Sequence, residues 1–401
     1  MSALEKTPVS RLSPISSPRF TALPPLSLYI HIPWCMRKCP YCDFNSHEAR
    51  GSVPEQDYVA ALTADLDQAL PLVWGRKVMS IFFGGGTPSL FSPHSMDAIL
   101  SMVRARLPLA ADAEITLEAN PGTFEAEKFR AFRATGINRL SIGIQSFSPR
   151  HLTALGRVHD EHEARRAIEI ARGHFDNFNL DLMYALPQQT PAEARADIAA
   201  ALEYSPPHVS SYHLTIEPNT WFHRYPPPVP DEDAAALMQD AIEETLVARG
   251  YEHYETSAFA RSGARCRHNL NYWTFGDYLG IGAGAHSKLS FADRIVRQMR
   301  FKQPGQYMAT AAQGKAVQQE QQVGAREVGF EFMMNALRLT GGFEASLFAE
   351  RAGLPLNVVF DELEEAERRG LIVRDHQRIA PTPQGRRFLN DLLQIFLADT
   401  P

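Results

Sequence analysis

Residues 26–42 read LSLYIHIPWCMRKCPYC and place three of the chain's four cysteines directly after a β-strand pattern. Cys35, Cys39 and Cys42 have the spacing C-x3-C-x2-C. Thiolates this close together can hold one inorganic cluster from a single loop. Three of them would leave one iron of a [4Fe–4S] cube open, as catalytic metal sites keep an open position. A zinc ion with a distant fourth ligand and three unrelated buried cysteines are the alternatives.

Around this loop, β-rich runs alternate with helical patterns from Leu26 to about Thr215. The strand candidates are LSLYIHI, VMSIFFGG, EITLEAN, RLSIGIQ, FNLDLMY and HVSSYHLTI. Between them apolar residues recur at steps of three and four, which predicts amphipathic helices. Strand–helix repetition predicts right-handed βαβ units and a parallel sheet. These strands are too few for a full (β/α)8 barrel. We therefore expect a partial barrel or an open wound sheet.

Polar residues come at the ends of these strands, one strand after another. The glycines of GGGTP (residues 84–88) end the second strand, and Glu118 and Gln145 end the third and the fourth. Asp181 lies inside the fifth strand, where a charge is costly unless it is paired. Active sites of parallel barrels lie at the carboxyl ends of the strands. These residues therefore predict a shared polar ligand, with Arg157 facing a ligand carboxylate or paired with Glu118.

The composition of the 401 residues is that of an ordinary globular protein, with 44% hydrophobic and 21% charged residues. The net charge of −6 does not indicate a nucleic acid or an anionic membrane as partner. No stretch approaches the roughly 18 consecutive apolar residues of a membrane span. Four cysteines predict no disulfide scaffold, which fits a reducing cytoplasm.

The chain divides into four predicted regions. Residues 1–25 are rich in Ser and Pro and are expected to form a flexible arm. Residues 26–220 form the barrel, and residues 221–324 extend it. In residues 325–401, helices followed by the hairpin pattern GLIVRDHQRIAPTPQG indicate a winged-helix-like α+β domain. The acidic run DELEEAERR favours a structural or protein-contact role for this domain over DNA binding.

The cysteine loop resembles the radical S-adenosylmethionine (SAM) signature C-x3-C-x-[aromatic]-C, with Tyr41 as the aromatic residue. The resemblance implies a partial (β/α)6 barrel and a [4Fe–4S] cluster on Cys35, Cys39 and Cys42. It also implies that the open iron chelates SAM, and that an electron from the cluster cleaves SAM to a 5′-deoxyadenosyl radical.

Further motifs resemble one branch of that superfamily, which contains oxygen-independent coproporphyrinogen III dehydrogenase and the HemW family of haem chaperones. The motifs are LYIHIPWC, FFGGGTPS, LEANPGT, SIGIQSF, LGRVHD and DLMYALPQQT. Carried over residue by residue, this resemblance implies SAM contacts at Tyr29, Tyr41, Gly85, Gly86, Thr87, Glu118, Gln145, Arg157 and Asp181.

Two features separate the relatives within this branch. The dehydrogenase has a further cysteine two residues after the third ligand, where this chain has Phe44. We therefore expect no coproporphyrinogen dehydrogenase activity. HNLNYW (residues 268–273) is similar to the HN-x-x-YW haem-associated motif of the chaperones. The haem candidates are His268, Asn269, Tyr272 and Trp273.

Imidazole can ligate haem iron, and tyrosine and tryptophan rings can pack on the macrocycle. Cys266 is a rival thiolate ligand, although an inert buried cysteine is the commoner case. GIGAGAHS (residues 280–287) is interpreted as a tight loop that closes the barrel mouth, with His286 beside it.

These observations predict a haem chaperone that binds haem, the cluster and SAM and delivers haem to acceptor haemoproteins. An electron donor for the cluster is a further expected partner, and a peripheral membrane contact stays open. The alternatives are the dehydrogenase itself, another radical SAM enzyme such as a methyltransferase, and a DNA-binding module in the tail.

Overall fold

A computed structural model describes residues 17–123 and 126–397. Its first part consists of β1 (Leu26–Ile32), β2 (Trp34–Cys35), β3 (His47–Glu48), α1 (Glu55–Ala69), β4 (Val78–Gly85), α2 (Pro93–Arg106), β5 (Leu109–Ala119), α3 (Ala126–Thr135), β6 (Arg139–Gln145), α4 (Pro149–Ala154), α5 (Glu161–His174), β7 (Phe178–Tyr184), α6 (Pro191–Leu202) and β8 (His208–His213). Strands β1, β4, β5, β6, β7 and β8 are neighbours in that order and run parallel. The six predicted strands and the partial (β/α)6 barrel are thus confirmed.

Local sequence signals start the helices of the barrel. At α6, the Thr190 side chain accepts a hydrogen bond from the Glu193 amide, and the Glu193 carboxylate accepts one from the Thr190 amide. Asp160 and Glu163 form the same reciprocal cap at α5. These caps satisfy amides that have no partner within the helix. The sequence TPAE (residues 190–193) therefore begins a capped helix.

The second part flanks this barrel on both edges of the sheet. It consists of α7 (Trp221–Arg224), α8 (Glu232–Ala248), β9 (Glu252–Glu255), β10 (Ala258–Ala260), α9 (Arg267–Trp273), β11 (Asp277–Ile281), β12 (His286–Ser290), β13 (Ile295–Arg300), α10 (Pro304–Ala311) and β14 (Val317–Gln322). The resulting sheet has the order β14-β13-β12-β11-β1-β4-β5-β6-β7-β8-β10-β9. Strand β11 runs parallel to β1, whereas β9, β10, β12, β13 and β14 are antiparallel additions.

The structure corrects part of the interpretation of GIGAGAHS. Gly280 lies within β11, because its backbone pairs with Tyr29 of β1. Gly282 and Gly284 form the expected turn, with φ of 105° and 78°. The loop is therefore shorter than predicted, and it places His286 at the first position of β12.

A buried charge network fixes this side of the sheet. Asp277 is fully buried and forms ion pairs with Arg76 at 2.8 Å and Lys288 at 3.1 Å. The Ser290 amide also donates to its carboxylate at 2.8 Å. A buried carboxylate with this many partners is satisfied, and removing one partner would leave an uncompensated charge. Strands β11 and β12 are thereby held beside β1.

The C-terminal part consists of α11 (Ala325–Ala336), β15 (Phe343–Glu344), α12 (Ala345–Ala352), α13 (Phe360–Arg368), β16 (Ile372–Arg374), β17 (Arg378–Pro381), α14 (Pro383–Arg387) and α15 (Leu389–Gln394). Its strands form a sheet of order β15-β17-β16. A separate apolar core surrounds Phe332 and Phe348. The predicted winged-helix-like domain is confirmed, and α11, α12 and α13 precede its hairpin.

The chain before β1 contacts this C-terminal core. The Arg19 amide donates to the Gly353 carbonyl at 2.8 Å, and the Phe20 amide donates to the Ala292 carbonyl at 3.0 Å. The Phe20 ring packs against the C-terminal core. Residues 17–25 of the predicted flexible arm therefore include a packed segment, whereas residues 1–16 lie outside the described residues. Within the described ranges, no helix combines the length and the hydropathy needed to cross a membrane.

Candidate functional site

The cysteine loop, defined as residues 35–46, begins at the end of β2. The Cys42 amide donates to the Cys39 carbonyl at 3.1 Å, which closes a turn between two of the thiols. The ammonium of Lys38 donates to the carbonyls of Phe44 at 3.1 Å and Ser46 at 3.2 Å. Lys38 thus holds the second half of the loop against the first, and all three thiols are half-buried.

The thiols are partly buried, and a cation lies beside one of them. Burial raises the pKa of Cys35 and of Cys42 above the ordinary value of a thiol. Nη1 of Arg157 lies 3.5 Å from the Cys39 sulfur. Among residues 17–123 and 126–397, no three His, Cys, Asp or Glu side chains are arranged so that they could hold a metal ion together. Assignment of the thiols to a cluster stays a prediction.

A cavity of about 410 Å³, here called the first cavity, opens beside the thiols. Its lining brings together the three cysteines and most of the residues for which SAM contacts were predicted, namely Tyr41, Gly85, Gly86, Thr87, Glu118, Gln145, Arg157 and Asp181. They come from the cysteine loop, from β4, β5, β6 and β7 at or near their carboxyl ends, and, for Arg157, from the segment after α4. The expectation that residues at these strand ends lie close together therefore agrees with the lining of the first cavity.

Gly85 allows β4 to approach β1 closely at this cavity. Its φ is 114°, and a Cβ there would lie 2.5 Å from the His31 ring. A side chain is therefore excluded both by backbone conformation and by space. The Gly85 amide donates to the Glu118 carboxylate at 3.3 Å. Burial, with the neighbouring Asp181, raises the pKa of Glu118 to about 8 despite that hydrogen bond.

Asp181 is held by a polar network on β6 and β7. Its carboxylate accepts hydrogen bonds from the Ser141 hydroxyl and from the Asn179 amide, both at 2.8 Å. The Asn179 amide group also donates to the Ser141 oxygen at 2.8 Å. Burial nevertheless raises the pKa of Asp181 above its ordinary value. The sequence indicated Asp181 but not Ser141, whose polar position inside an apolar strand was the available signal.

Arg157 has partners other than Glu118, which was one of the two partners predicted for it. Its Nη2 donates to Asn120 Oδ1 at 2.6 Å and to the Gly143 carbonyl at 2.9 Å. Asn120 in turn donates to the Thr87 hydroxyl at 2.8 Å. Among the described residues, the buried Nε of Arg157 has no hydrogen-bond partner. The arginine therefore links the Cys39 thiol to the strand ends, and a donor is left for a ligand.

A second cavity of about 810 Å³ adjoins the first. The shared wall, which lines both cavities, consists of Cys42, Asp43, Phe44, Gly85, Glu118 and Glu217. Tyr29, predicted as a SAM contact, lines the second cavity and not the first. Its hydroxyl lies 3.1 Å from His31 Nδ1, and the Tyr29 ring stacks on Phe82.

Asn45 joins the cysteine loop to the far side of the second cavity. Its side-chain amide donates to the carbonyls of Ala283 and Lys302, both at 2.9 Å. Nε2 of His31 donates to the Asn45 carbonyl at 2.9 Å. The sequence gave no sign of this role, because both acceptors are backbone carbonyls more than 200 residues away.

The residues of HNLNYW do not converge on one cavity. His268 is fully buried beside β4, with Nδ1 2.9 Å from the Ser80 hydroxyl and its ring stacked on Phe82. Burial lowers the pKa of His268 to about 3. Tyr272 lines the second cavity. Trp273 packs under the guanidinium of Arg338, 4.6 Å from its ring centroid. Asn269 is half-buried. Only Tyr272 of the four haem candidates therefore lines a described cavity.

Cys266 lies directly before α9 and is enclosed by the surrounding protein. It is buried, and burial raises the pKa of its thiol to about 12. Its sulfur lies 3.6 Å from the Glu114 carboxylate. These surroundings suit an inert neutral thiol rather than a thiolate ligand.

The comparisons with known proteins agree with this geometry. The family model of the Radical SAM superfamily matches residues 29–201, and that of the HemN C-terminal domain matches residues 324–388. The heme chaperone HemW of Escherichia coli is 50% identical over 94% of this chain and 99% of its own length. The heme chaperone HemW of Haemophilus influenzae is 46% identical over 94% of this chain and 99% of its own length.

A solved structure shares the fold of the whole chain. Coproporphyrinogen III oxidase (HemN) from Escherichia coli, described as a radical SAM enzyme, superposes with a TM-score of 0.80. The match covers 93% of this chain and 90% of that protein, at 24% sequence identity. At this identity the likeness concerns the fold alone, including the extension and the C-terminal domain.

Proposed function

The chain belongs to the HemW family within the radical SAM superfamily, and on that premise we propose that it is a haem chaperone. It binds haem, a [4Fe–4S] cluster and SAM, and it passes haem to acceptor haemoproteins. The observation that carries this proposal is the adjoining pair of cavities, one beside three cysteines and one large enough for a macrocycle. Ligand sites in proteins commonly have volumes of about 300–1,000 Å³.

The first cavity has the donors that a cluster and SAM require. Cys35, Cys39 and Cys42 supply three sulfur ligands, and Arg157 lies beside Cys39. These cysteines would hold the cluster, which would bind the amino and carboxylate groups of SAM and supply it with an electron. Glu118 and Asp181 lie in the same cavity and are suited to polar or cationic parts of SAM.

Phe44 supports a chaperone role over porphyrinogen oxidation. It occupies the position at which the dehydrogenase has its additional cysteine, and it lies on the shared wall with 61% of its surface exposed. A phenyl ring there offers neither a thiol for redox chemistry nor a proton. It contributes apolar surface to both cavities.

Anaerobic reconstitution tests the proposal. The full chain is incubated with iron and sulfide, and haem is then titrated with and without SAM while absorbance is recorded. We expect the broad visible absorbance of a cluster, a Soret band that saturates with haem, and transfer of haem to an apo-haemoprotein.

A triple variant, Cys35→Ala, Cys39→Ala and Cys42→Ala, is expected to lose the cluster absorbance. Retention of the full absorbance would refute the ligand assignment. Conversion of coproporphyrinogen III to protoporphyrinogen IX in the presence of SAM and a reductant would contradict the chaperone-only function.

A further inference from the structure

Charged side chains of both signs line the second cavity. Its carboxyl groups, those of Asp43, Glu118 and Glu217, lie on the shared wall. Lys302 is not part of that wall, whereas the Lys38 ammonium is bonded to the Phe44 carbonyl on it. A ligand with an uncharged body and negative groups at one edge would match this arrangement if its negative edge faced Lys302. Haem has that distribution, because its two propionates lie on one side of the macrocycle.

Two aromatic side chains provide an apolar surface within the same cavity. Tyr272 of α9 and Tyr278 of β11 have ring centroids 4.5 Å apart at an angle of 59°. Arg297 donates to the Tyr278 hydroxyl at 2.6 Å, which fixes that ring. Aromatic rings offer apolar surface on which a flat ligand can pack.

His31 and His286 line the second cavity, and they differ in whether a ring nitrogen is available to bind iron. Both ring nitrogens of His31 are engaged, one by Tyr29 and one by the Asn45 carbonyl. The His286 ring, in contrast, has no hydrogen bond to any described residue, and its side chain is exposed at the cavity. His268 lies outside the lining of this cavity and is bonded to Ser80.

From this geometry we infer that the second cavity is the haem site, with His286 as the axial ligand and Lys302 as the partner of a propionate. The inference rests on the proposed function, since it specifies where and how the haem is held. It assigns to Tyr272 the role of packing on the macrocycle, and it gives His268 a structural role inside the barrel.

The roles of the two lysines follow from their other contacts. The Lys38 ammonium is engaged by two carbonyls of the cysteine loop. Lys302 is exposed at the cavity, and its backbone carbonyl is fixed by Asn45. Lys302 is therefore the lysine available for a propionate. A histidine ligand at an exposed position also suits a protein that must release its haem.

Haem titration of the full reconstituted chain tests the axial ligand. We expect His286→Ala to shift the Soret band and weaken haem binding, and we expect the matched variant His268→Ala to keep the wild-type spectrum. His286→Gly should recover a histidine-like spectrum when imidazole is added, because imidazole can occupy the space left by the side chain. Circular dichroism and cluster absorbance establish that each variant is folded.

The propionate contact is tested with two probes. Lys302→Ala is expected to weaken binding of haem about tenfold, as loss of one charge-assisted contact would. The same variant should bind haem dimethyl ester, which lacks carboxylates, as tightly as the wild type does. An equal loss for both probes would overturn the assignment of Lys302.

The outcomes separate this inference from the proposed function. If the wild type binds no haem, the proposed function fails. If the wild type binds haem, and His286→Ala leaves spectrum and affinity unchanged while His268→Ala abolishes them, the inference fails and the function stands.

Discussion

Gln145 shows how a single residue marks the site. Its φ is 68°, in the left-handed region that residues other than glycine seldom adopt. This conformation costs about 1–2 kcal/mol for a residue with a Cβ. Gln145 ends β6 on the lining of the first cavity, where its amide can face a ligand. The unfavourable backbone is therefore associated with binding, as strained positions often are.

Glu118 leads to a prediction about pH at the same scale. Its pKa is raised from 4.5 to about 8, chiefly by burial. Between these two values the folded state binds the proton and the unfolded state does not, so this group's contribution to stability falls as the pH rises. Glu118→Gln removes this dependence. We expect the stability of the variant relative to the wild type to rise by about 1 kcal/mol for each pH unit across that window.

Urea denaturation of the ligand-free protein at several pH values measures this gain. The wild type at each pH is the reference, so that other titrating groups cancel. A stability difference that is independent of pH would contradict the raised pKa of Glu118.

Helix α9 is an element whose position depends on residues far away in sequence. Helices of this length are not stable by themselves. The Glu114 carboxylate of β5 accepts hydrogen bonds from the amides of Arg267 at 3.0 Å and His268 at 3.2 Å, at the start of the helix. Burial alone would lower the pKa of nearby Arg139, but Cys266 and Glu114 raise it. Glu114 thus serves as a helix cap and a countercharge.

The two acidic residues of β5 that contact α9 form a matched pair for mutation. Glu114→Ala is expected to destabilise the protein by about 1–3 kcal/mol, because it leaves buried donors unsatisfied. Asp112, whose side chain is 74% exposed, pairs with the Arg267 side chain at 3.0 Å. Asp112→Ala should cost less than about 1 kcal/mol. Equal losses in chemical denaturation would disprove the capping role of Glu114.

The sequence predicted the parallel strands well because each has a local apolar pattern and a turn after it. It predicted β11 poorly, because Asp277 begins that strand and a buried carboxylate has no local signature. Its partners Arg76 and Lys288 come from other parts of the chain. Likewise, the polar strand ends indicated Glu118 and Asp181, whereas the burial of His268 depends on Phe82 and Ser80 of β4.

At the scale of the whole molecule, the C-terminal domain packs on the extension of the barrel. Phe275, which follows α9, belongs to the apolar core around Phe332. Trp273 stacks under Arg338, and Arg387 of α14 pairs with Asp240 of α8. The domain therefore supports α9 and β11, which line the second cavity with Tyr272 and Tyr278.

The segment before β1 provides a test of this packing. A chain without residues 1–16 keeps the contacts of Arg19 and Phe20, whereas a chain without residues 1–20 loses both backbone hydrogen bonds and the packing of Phe20. We expect the shorter chain to have the lower Tm, because a partly buried aromatic side chain and two hydrogen bonds are removed. Differential scanning calorimetry of both chains measures this. Identical Tm values would show that the segment adds no stability.

The hydrogen bonds of Asn45 have a thermodynamic consequence for the two cavities. Asn45 belongs to the cysteine loop, yet it fixes the backbone of Ala283 and Lys302 beside the second cavity. If a cluster bound to the loop improves the affinity for a ligand of the second cavity by some factor, that ligand improves the affinity for the cluster by the same factor. Each would then stabilise the binding of the other, and loss of the cluster would weaken binding in the second cavity.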